Sequence, residues 1–297
     1  MQVRTKAHIA VLVANIFYGI NFSIMQYLTP KLMQPIALNV LRVVGATLLF
    51  WGVRYITPTT KPIHRKHWGR LILCAATGVV INQILFVKGV TLTTTIRASL
   101  LMLVCPIAVV CIASVLHKEK LSINKIIGLA LGILGAILLI SLREHTTVGK
   151  HVILGDSFII INALSYAVYL VAVKPLMQYY PPLQVIRWAF TLACVVMIPM
   201  GAQGVAAIAW GSFAWYDWAA LMFIIIAVTF CTFLFTLYGI QVLGSSITGA
   251  YIYAQPVFAA LVAVVILHDV SYWPIKLLAA ICIGSGVYLV SYYNRAV

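Results

Sequence analysis

Ten apolar runs of membrane-spanning length divide this sequence of 297 residues. A helix needs about 20 consecutive apolar residues to cross the hydrocarbon core of a bilayer. The gaps between the runs are short, and prolines lie in or beside several of them, where helices begin or end. We therefore predict an all-α integral membrane protein of about ten transmembrane helices. The predicted spans are 8–28, 36–56, 68–88, 94–116, 123–142, 153–173, 184–204, 217–239, 245–267 and 273–293.

The composition agrees with lipid as the solvent. Hydrophobic residues make up 63% of the chain and charged residues 8%, with a mean hydropathy of +1.06, whereas soluble domains have about 25% charged residues. The formal net charge is +15. It does not indicate a nucleic-acid-binding protein, because the basic residues lie in the short gaps and form no basic stripe with interleaved aromatics. We expect the lipid bilayer as a partner and no nucleic acid.

The basic residues also predict the orientation in the membrane. With a cytoplasmic N-terminus, the gaps on that side carry roughly twice as many lysines and arginines as the gaps on the other side. The segment from Arg54 to Arg70 contributes most to this excess. Because the number of spans is even, both termini are predicted to be cytoplasmic, in a multi-pass protein of the cytoplasmic (inner) membrane.

The chain repeats itself after about 150 residues, and such internal repeats define the architecture. The corresponding pairs are Trp68 and Trp218, Gly89 and Gly239, Pro106 and Pro256, Glu119 and Asp269, and, with a slightly smaller shift, Tyr18 and Tyr166. We predict two repeats, 1–145 and 150–297. Five spans in each repeat is an odd number, so the second repeat must be inverted in the membrane. Inverted repeats are typical of secondary transporters, in which the substrate lies near the midplane between the halves.

Several short motifs accompany the internal repeat. They are Gly19-Ile20-Asn21-Phe22, the stretch from Thr95 to Pro106, the stretch from Leu116 to Leu121, Gly155-Asp156, the stretch from Ser165 to Tyr169, and Gln255-Pro256. With these motifs, the two halves resemble tandem EamA domains of the drug/metabolite transporter superfamily over nearly the whole chain. The resemblance implies export or exchange of small metabolites, notably amino acids, through a central cavity.

Polar side chains lie deep within several predicted spans, where they are costly unless they face a partner or a wet cavity. One interpretation is hydrogen bonding between helices, which contributes about 0.6 kcal/mol for each group. The other is a substrate cavity, which is favoured because the polar faces occur on repeat-equivalent spans. The candidate substrate-binding residues are Asn15, Tyr18, Asn21, Asn82, Gln83, Arg97, Asn162, Tyr166, Tyr169, Thr232, Tyr251 and Gln255.

Three of the cations within the predicted spans could approach a substrate, and all three lie toward the side of the membrane opposite the N-terminus. Arg42, Lys88 and Arg97 could reach the lipid headgroups with their long side chains, which is the interpretation we favour. The alternative is that they line a vestibule, in which case they would favour a solute that bears a carboxylate. On that alternative Arg97 is counted among the candidate site residues.

Acidic residues are rare, and none lies deep within a predicted span. The five are Glu119, Glu144, Asp156, Asp217 and Asp269. Proton-driven transport usually needs a titrating group within the membrane, so we expect a facilitator or exchanger. The cysteines show no metal-ligand spacing, and no catalytic set of carboxylates or activated nucleophiles lies within the spans. We therefore expect neither a cofactor nor an enzyme.

The sequence thus predicts a secondary transporter, a facilitator or exporter, of small organic metabolites, probably amino acids by resemblance. The alternatives are a sugar-phosphate or nucleotide-sugar exchanger, or a non-transporting membrane assembly protein. Glycines on the fifth and tenth spans predict close helix contact, which we expect within the chain, with a homodimer as the alternative. These glycines are Gly128, Gly132, Gly135, Gly284 and Gly286.

Overall fold

A computed structural model of the chain describes residues 2–29, 31–56, 62–93, 98, 101–116, 122–141, 152–255, 257–258 and 273–292. Within these ranges the chain is almost entirely helical and contains no strand. Ten helical segments lie at the ten predicted spans, so the predicted all-α fold is confirmed. We number them α1 to α10: Gln2–Leu28, Pro35–Ile56, Arg65–Leu92, Val104–Leu116, Ile123–Ser141, Val152–Ala172, Pro182–Ala206, Trp215–Leu243, Ser245–Ala250 and Trp273–Tyr292.

Several of the helices have the length and surface of membrane spans. Five of them (α2, α3, α6, α7 and α8) are long and apolar enough to cross a membrane, and α4, α5 and α10 contain shorter apolar helices. Large apolar side chains project from the outside of the bundle, among them Leu48, Ile153 and Val195, each more than two-thirds exposed. An apolar surface of this extent is stable only against hydrocarbon.

The helices pack as two five-helix repeats, α1–α5 and α6–α10. Helix α1 packs against α8, and its repeat equivalent α6 packs against α3. Helices α2, α4 and α5 each pack against their own equivalents, α7, α9 and α10. Interchanging the two repeats turns each of these helix contacts into another contact of the same set. This is the pattern of two copies related by a two-fold axis. The predicted pair of inverted repeats is therefore confirmed.

Contacts at the helix ends follow the alternating directions of the helices. We call the side that holds Gln2 the N side and the opposite side the distal side. On the N side, His67 Nδ1 lies 2.9 Å from the Tyr180 hydroxyl. On the distal side, the Thr93 hydroxyl donates to Asp156 Oδ1 at 2.6 Å, which joins the end of α3 to the start of α6. Each side is thus held together by contacts between the two repeats.

Aromatic rings gather at both ends of the bundle. The rings of Trp51 and Trp188 are 5.6 Å apart on the N side, and those of Trp210 and Trp218 are stacked at 5.5 Å on the distal side. Tryptophan is enriched where a membrane protein meets the lipid headgroups. The two clusters therefore mark the two edges of the membrane-embedded part.

Helices α5 and α10 touch through glycines. A Cβ added at Gly128 would lie 2.7 Å from the Gly286 carbonyl oxygen, and one at Gly135 would lie 2.7 Å from that of Ala279. Only the absence of side chains permits this approach of the backbones. The expected packing within the chain is confirmed at these positions, whereas Gly284 has no atom within 4 Å of its added Cβ.

Helices α3 and α6 pack closely at Gly78. A Cβ at Gly78 would overlap the ring of Tyr169, which is fully buried. We expect Gly78→Ala to destabilise the protein by about 1–3 kcal/mol, because the ring must move in a packed core. Thermal unfolding in detergent, followed by tryptophan fluorescence, measures the change. Gly69→Ala in the same helix is the control, since a Cβ there meets nothing within 4 Å, and equal transition temperatures for the two variants would contradict the packing.

Candidate functional site

Two π-helical segments lie where α3 and α8 cross the bundle. They are Ala76–Val80 in α3 and Ile224–Cys231 in α8. The shift of 150 residues that relates Trp68 to Trp218 also relates these segments. A π-helical turn has one extra residue, interrupts the regular hydrogen-bond ladder and occurs frequently at functional sites. Both repeats thus carry the same irregularity at the same place.

Side chains of α6 bind the backbone of α3 around its π-helical segment. Ser165 Oγ donates to the Thr77 carbonyl oxygen at 2.7 Å. Asn162 Nδ2 donates to the Asn82 carbonyl oxygen at 2.5 Å. The first bond gives a partner to a carbonyl group within the π-helical segment, and the second to a carbonyl group two residues after it. They also fix the rotation of α3 about its own axis, and hence the direction of its polar side chains.

A cavity whose lining residues are mostly polar lies between the two repeats. About 80 Å³ of it is open to the centres of water molecules, and a buried water needs about 10–15 Å³ of such space. The cavity therefore has room for several waters or a small solute. Arg42 lies seven residues into α2 and Asn162 ten residues into α6, about 10 and 15 Å from the distal ends. This depth is near the middle of a hydrocarbon core about 30 Å thick.

Most of the predicted site residues line this cavity. Those in its wall are Tyr18, Asn21, Asn82, Gln83, Asn162, Tyr166 and Gln255. Asn15 supports the wall: its Oδ1 accepts a hydrogen bond from Gln255 Nε2 at 2.9 Å, and its Nδ2 donates to the Val11 carbonyl oxygen at 2.8 Å. The amide of Asn15 thereby joins α1 to Gln255, which lies five residues after the end of α9.

The structure places three other candidates outside the cavity wall. Tyr169 is fully buried behind Tyr166, with the ring centroids 5.8 Å apart. Thr232 donates its hydroxyl to a carbonyl of its own helix at 2.5 Å. The Tyr251 hydroxyl lies 2.7 Å from His8 Nδ1, near the N side. The substrate contacts predicted for these three residues stay predictions.

Arg42 does not extend to the lipid headgroups, contrary to the interpretation that the sequence favoured. Its side chain is 5% exposed and lines the cavity, so it does not extend to the headgroups. Its Nε donates to Thr229 Oγ1 at 3.1 Å, and one terminal nitrogen lies 3.9 Å from Met25 Sδ. The Thr229 hydroxyl itself donates to the Ile224 carbonyl oxygen at 2.8 Å, five residues back in the π-helical segment. The π-helical turn of α8 therefore holds the guanidinium in place.

The other two cations differ from Arg42. Lys88 is exposed on α3, which agrees with a side chain that extends to the headgroups. Arg97 lies outside the described residues. Arg42 therefore lines the cavity, whereas Lys88 does not, and the position of Arg97 is not described.

The cavity straddles the axis that relates the repeats. Met102 and Ile252, like Gln83 and Phe233, are 150 residues apart, and Tyr18 and Tyr166 are 148 apart. Each pair contributes both members to the wall. Adding the repeat shift of 150 residues to Gln83 would therefore have predicted Phe233 as a cavity-lining residue. Phe86, which also lines the cavity, lies three residues after Gln83 and so on the same helix face.

Several buried polar atoms beside the cavity have no hydrogen-bond partner among the described residues. They are Asn21 Oδ1, Asn162 Oδ1 and both amide atoms of Gln83. An unsatisfied buried group costs about 1–3 kcal/mol. A small rotation of these side chains toward water or a polar solute in the cavity would remove this cost. The wall thus presents one guanidinium and several amide groups to whatever occupies the cavity.

A protein family and a solved structure each match nearly the whole of this chain. The EamA-like transporter family matches residues 5–141 and again residues 153–292. The chain belongs to the EamA-like transporter family. One solved crystal structure superposes with a TM-score of 0.80 at 16% identity, covering 99% of this chain and 98% of the other, so the two share their fold.

Two relatives of this family member are named as uncharacterized transporters. The protein of Methanothermobacter thermautotrophicus is 24% identical over 174 residues, which are 54% of this chain and 50% of that protein. The protein of Archaeoglobus fulgidus is 23% identical over 183 residues, 62% of this chain and 63% of that protein. The chain thus spans between half and just under two-thirds of the length of these relatives.

The cavity predicts a pattern of chemical accessibility. In a variant whose six native cysteines are replaced by alanine or serine, we expect Asn82→Cys to react with a small charged thiol reagent. Ile81→Cys, on the adjacent exposed face, should react at least about tenfold more slowly, because a thiolate forms in water and not in hydrocarbon. Labelling rates in proteoliposomes, read by mass spectrometry, measure the difference. Equal rates would contradict the orientation of α3.

Proposed function

We propose that this EamA-like protein is a secondary transporter of small organic metabolites, with amino acids as the substrate class. The observation that carries the proposal is the polar cavity on the axis between the two inverted repeats, near the middle of the membrane. Inverted-repeat transporters hold their substrate at this position and expose it to either side by rocking one repeat against the other. Family membership supports transport, and the resemblance to the drug/metabolite transporter superfamily, whose members carry amino acids among other small metabolites, supports the substrate class.

The contacts on the N side support alternating exposure of the cavity. Val11, Leu243 and Ile247 form an apolar cluster there, and His8 and Tyr251 contact each other beside it. These residues come from α1, α8 and α9, which belong to different repeats. Movement of the repeats relative to each other would separate them and open a path from the cavity to the N side.

We further propose that transport is not driven by protons. Among the described residues that line the cavity, none is acidic and none is a histidine. The two described acids, Asp156 and Asp217, are bonded to Thr93 and Tyr27 at distal helix ends. A carrier without a titrating group at its binding site runs down the solute gradient or exchanges one solute for another.

The N side is proposed to be the cytoplasmic side of the inner membrane. Arg65, Lys66 and Arg70 lie at the N-side end of α3, and basic residues are retained in the cytoplasm. Both termini would then be cytoplasmic. The boundary between the two repeats is proposed separately, from the repeat in the sequence, to lie between residues 145 and 150. Reporter fusions at the two ends of the chain test the orientation. Activity of a periplasm-specific reporter at either end would contradict it.

A sugar-phosphate or nucleotide-sugar exchanger is the second candidate, and Arg42 is the observation that favours it. Phosphate groups bind arginine readily. The cavity wall, however, holds one cation among the described residues, whereas a phosphate ester carries up to two negative charges at neutral pH. The single charge makes amino acids the better match.

Transport itself can be measured with liposomes that hold the purified protein and a pool of amino acids, nucleosides and sugar phosphates. We expect selective efflux of amino acids, identified by mass spectrometry, at a rate that an uncoupler of the pH gradient leaves unchanged. Met102→Trp is the matched control, because an indole at this lining position would fill the cavity while apolar packing is kept. Efflux that stops on addition of the uncoupler, or equal efflux from Met102→Trp, would contradict the proposal.

A further inference from the structure

Arg42 places a permanent positive charge in the cavity wall. Of the described residues that line the cavity, it alone is charged, and an arginine side chain does not lose its proton in a protein. Among the described residues its hydrogen-bond partners are the Thr229 hydroxyl at Nε and the Met25 sulfur, a weak acceptor, at a terminal nitrogen. Most of the five N–H donors of the guanidinium are thus available to an occupant of the cavity.

No carboxylate of the described residues compensates this charge. Asp156 and Asp217 lie at the distal ends of α6 and α8, where Thr93 and Tyr27 bind them. A charge in the membrane interior is costly unless water or an opposite charge accompanies it. An anion that enters the cavity therefore gains a strong partner, and one negative charge is enough to neutralise the site.

Amide oxygens beside the cavity supply the complementary half of the site. Asn162 Nδ2 is committed to the Asn82 carbonyl oxygen, and this bond fixes the orientation of the amide. Its buried Oδ1 then has no donor among the described residues, and neither has Asn21 Oδ1. Both side chains are at most 5% exposed. They require an N–H or O–H group, which an ammonium or hydroxyl of the solute can provide.

We propose that this cavity binds small monocarboxylates that also carry an amine or a hydroxyl, with the carboxylate on Arg42 and the donor group on the amides of Asn21, Gln83 and Asn162. This assignment rests on the proposed transport function and specifies its substrate chemistry. Bidentate binding of a carboxylate by a guanidinium supplies both affinity and orientation. Thr229 acts as a positioning residue, because it holds Nε of Arg42.

The first test compares matched solutes on the wild-type protein. Proteoliposomes loaded with alanine, serine or lactate are placed in radiolabelled solute, and uptake by counterflow is competed with alaninamide, serinamide or lactamide. We expect each carboxamide to compete roughly ten- to hundredfold less well than its parent acid, because it loses the charged hydrogen bonds to Arg42. Glycerol phosphate, the phosphate probe, should compete less well than the acids.

The second test uses variants of the site. Arg42→Gln should abolish the difference between acid and carboxamide, while Arg42→Lys should retain part of it as a point charge. Arg54→Gln removes an exposed cation at the N-side end of α2 and should leave the difference unchanged. If Arg42→Gln does not fold, Thr229→Val keeps the charge, removes the Nε partner and should reduce the difference severalfold.

The outcomes separate this proposal from the one on which it rests. Absence of counterflow of any solute by the wild-type protein would overturn the transport function and the carboxylate site together. Counterflow in which carboxamides compete as well as acids would leave transport intact and overturn the role of Arg42. An acid preference that persists in Arg42→Gln would also overturn it, and preferential competition by glycerol phosphate would replace the monocarboxylate with a phosphate ester.

Discussion

The hydrocarbon of a bilayer offers no hydrogen bonds, so every polar group within it needs a partner in the protein or in trapped water. The backbone meets this requirement by forming helices, and the side chains meet it by gathering between the two repeats. The π-helical segments of α3 and α8 interrupt the regular hydrogen bonding of their helices. In these segments the Thr77 carbonyl accepts a hydrogen bond from Ser165, and the Ile224 carbonyl accepts one from Thr229. The polar interior that results is the cavity. Its position is thus a consequence of the membrane environment together with the two-fold arrangement.

The two repeats share a backbone plan but differ in the chemistry that they bring to it. The shift of 148 residues that relates Tyr18 to Tyr166 relates Arg42 to Phe190. Phe190 packs edge-to-face on Phe50 and Phe233, with ring centroids 5.2 and 4.9 Å apart. Because the second repeat is inverted, the charged group lies toward the distal side and the aromatic cluster toward the N side. A symmetric scaffold therefore carries a cation at the cavity in one repeat and a packed aromatic residue at the equivalent position of the other.

Much of this architecture is predictable from the sequence, since ten apolar runs and the coincidence of Trp68 with Trp218 specify the spans and the inverted repeat. Asn82, Asn162 and Tyr166 were also predicted, because polar groups in a span must face inward. The rotation of each helix about its own axis is not predictable in the same way. Whether Arg42 faces headgroups or the cavity depends on the turn of α2 against α8, and the π-helical segments shift the helical register near Thr232. Neither can be obtained from a period of 3.6 residues.

The cavity between the repeats is proposed to bind a carboxylate-bearing solute through Arg42. An experimental structure of the protein with a transported amino acid bound tests this claim most directly. We predict density for the amino acid within the cavity, with carboxylate oxygens about 2.7–2.9 Å from the Arg42 guanidinium nitrogens and the ammonium beside the amides of Asn21 and Asn162. Density for the amino acid at another place, or with its carboxylate turned away from Arg42, would contradict the claim.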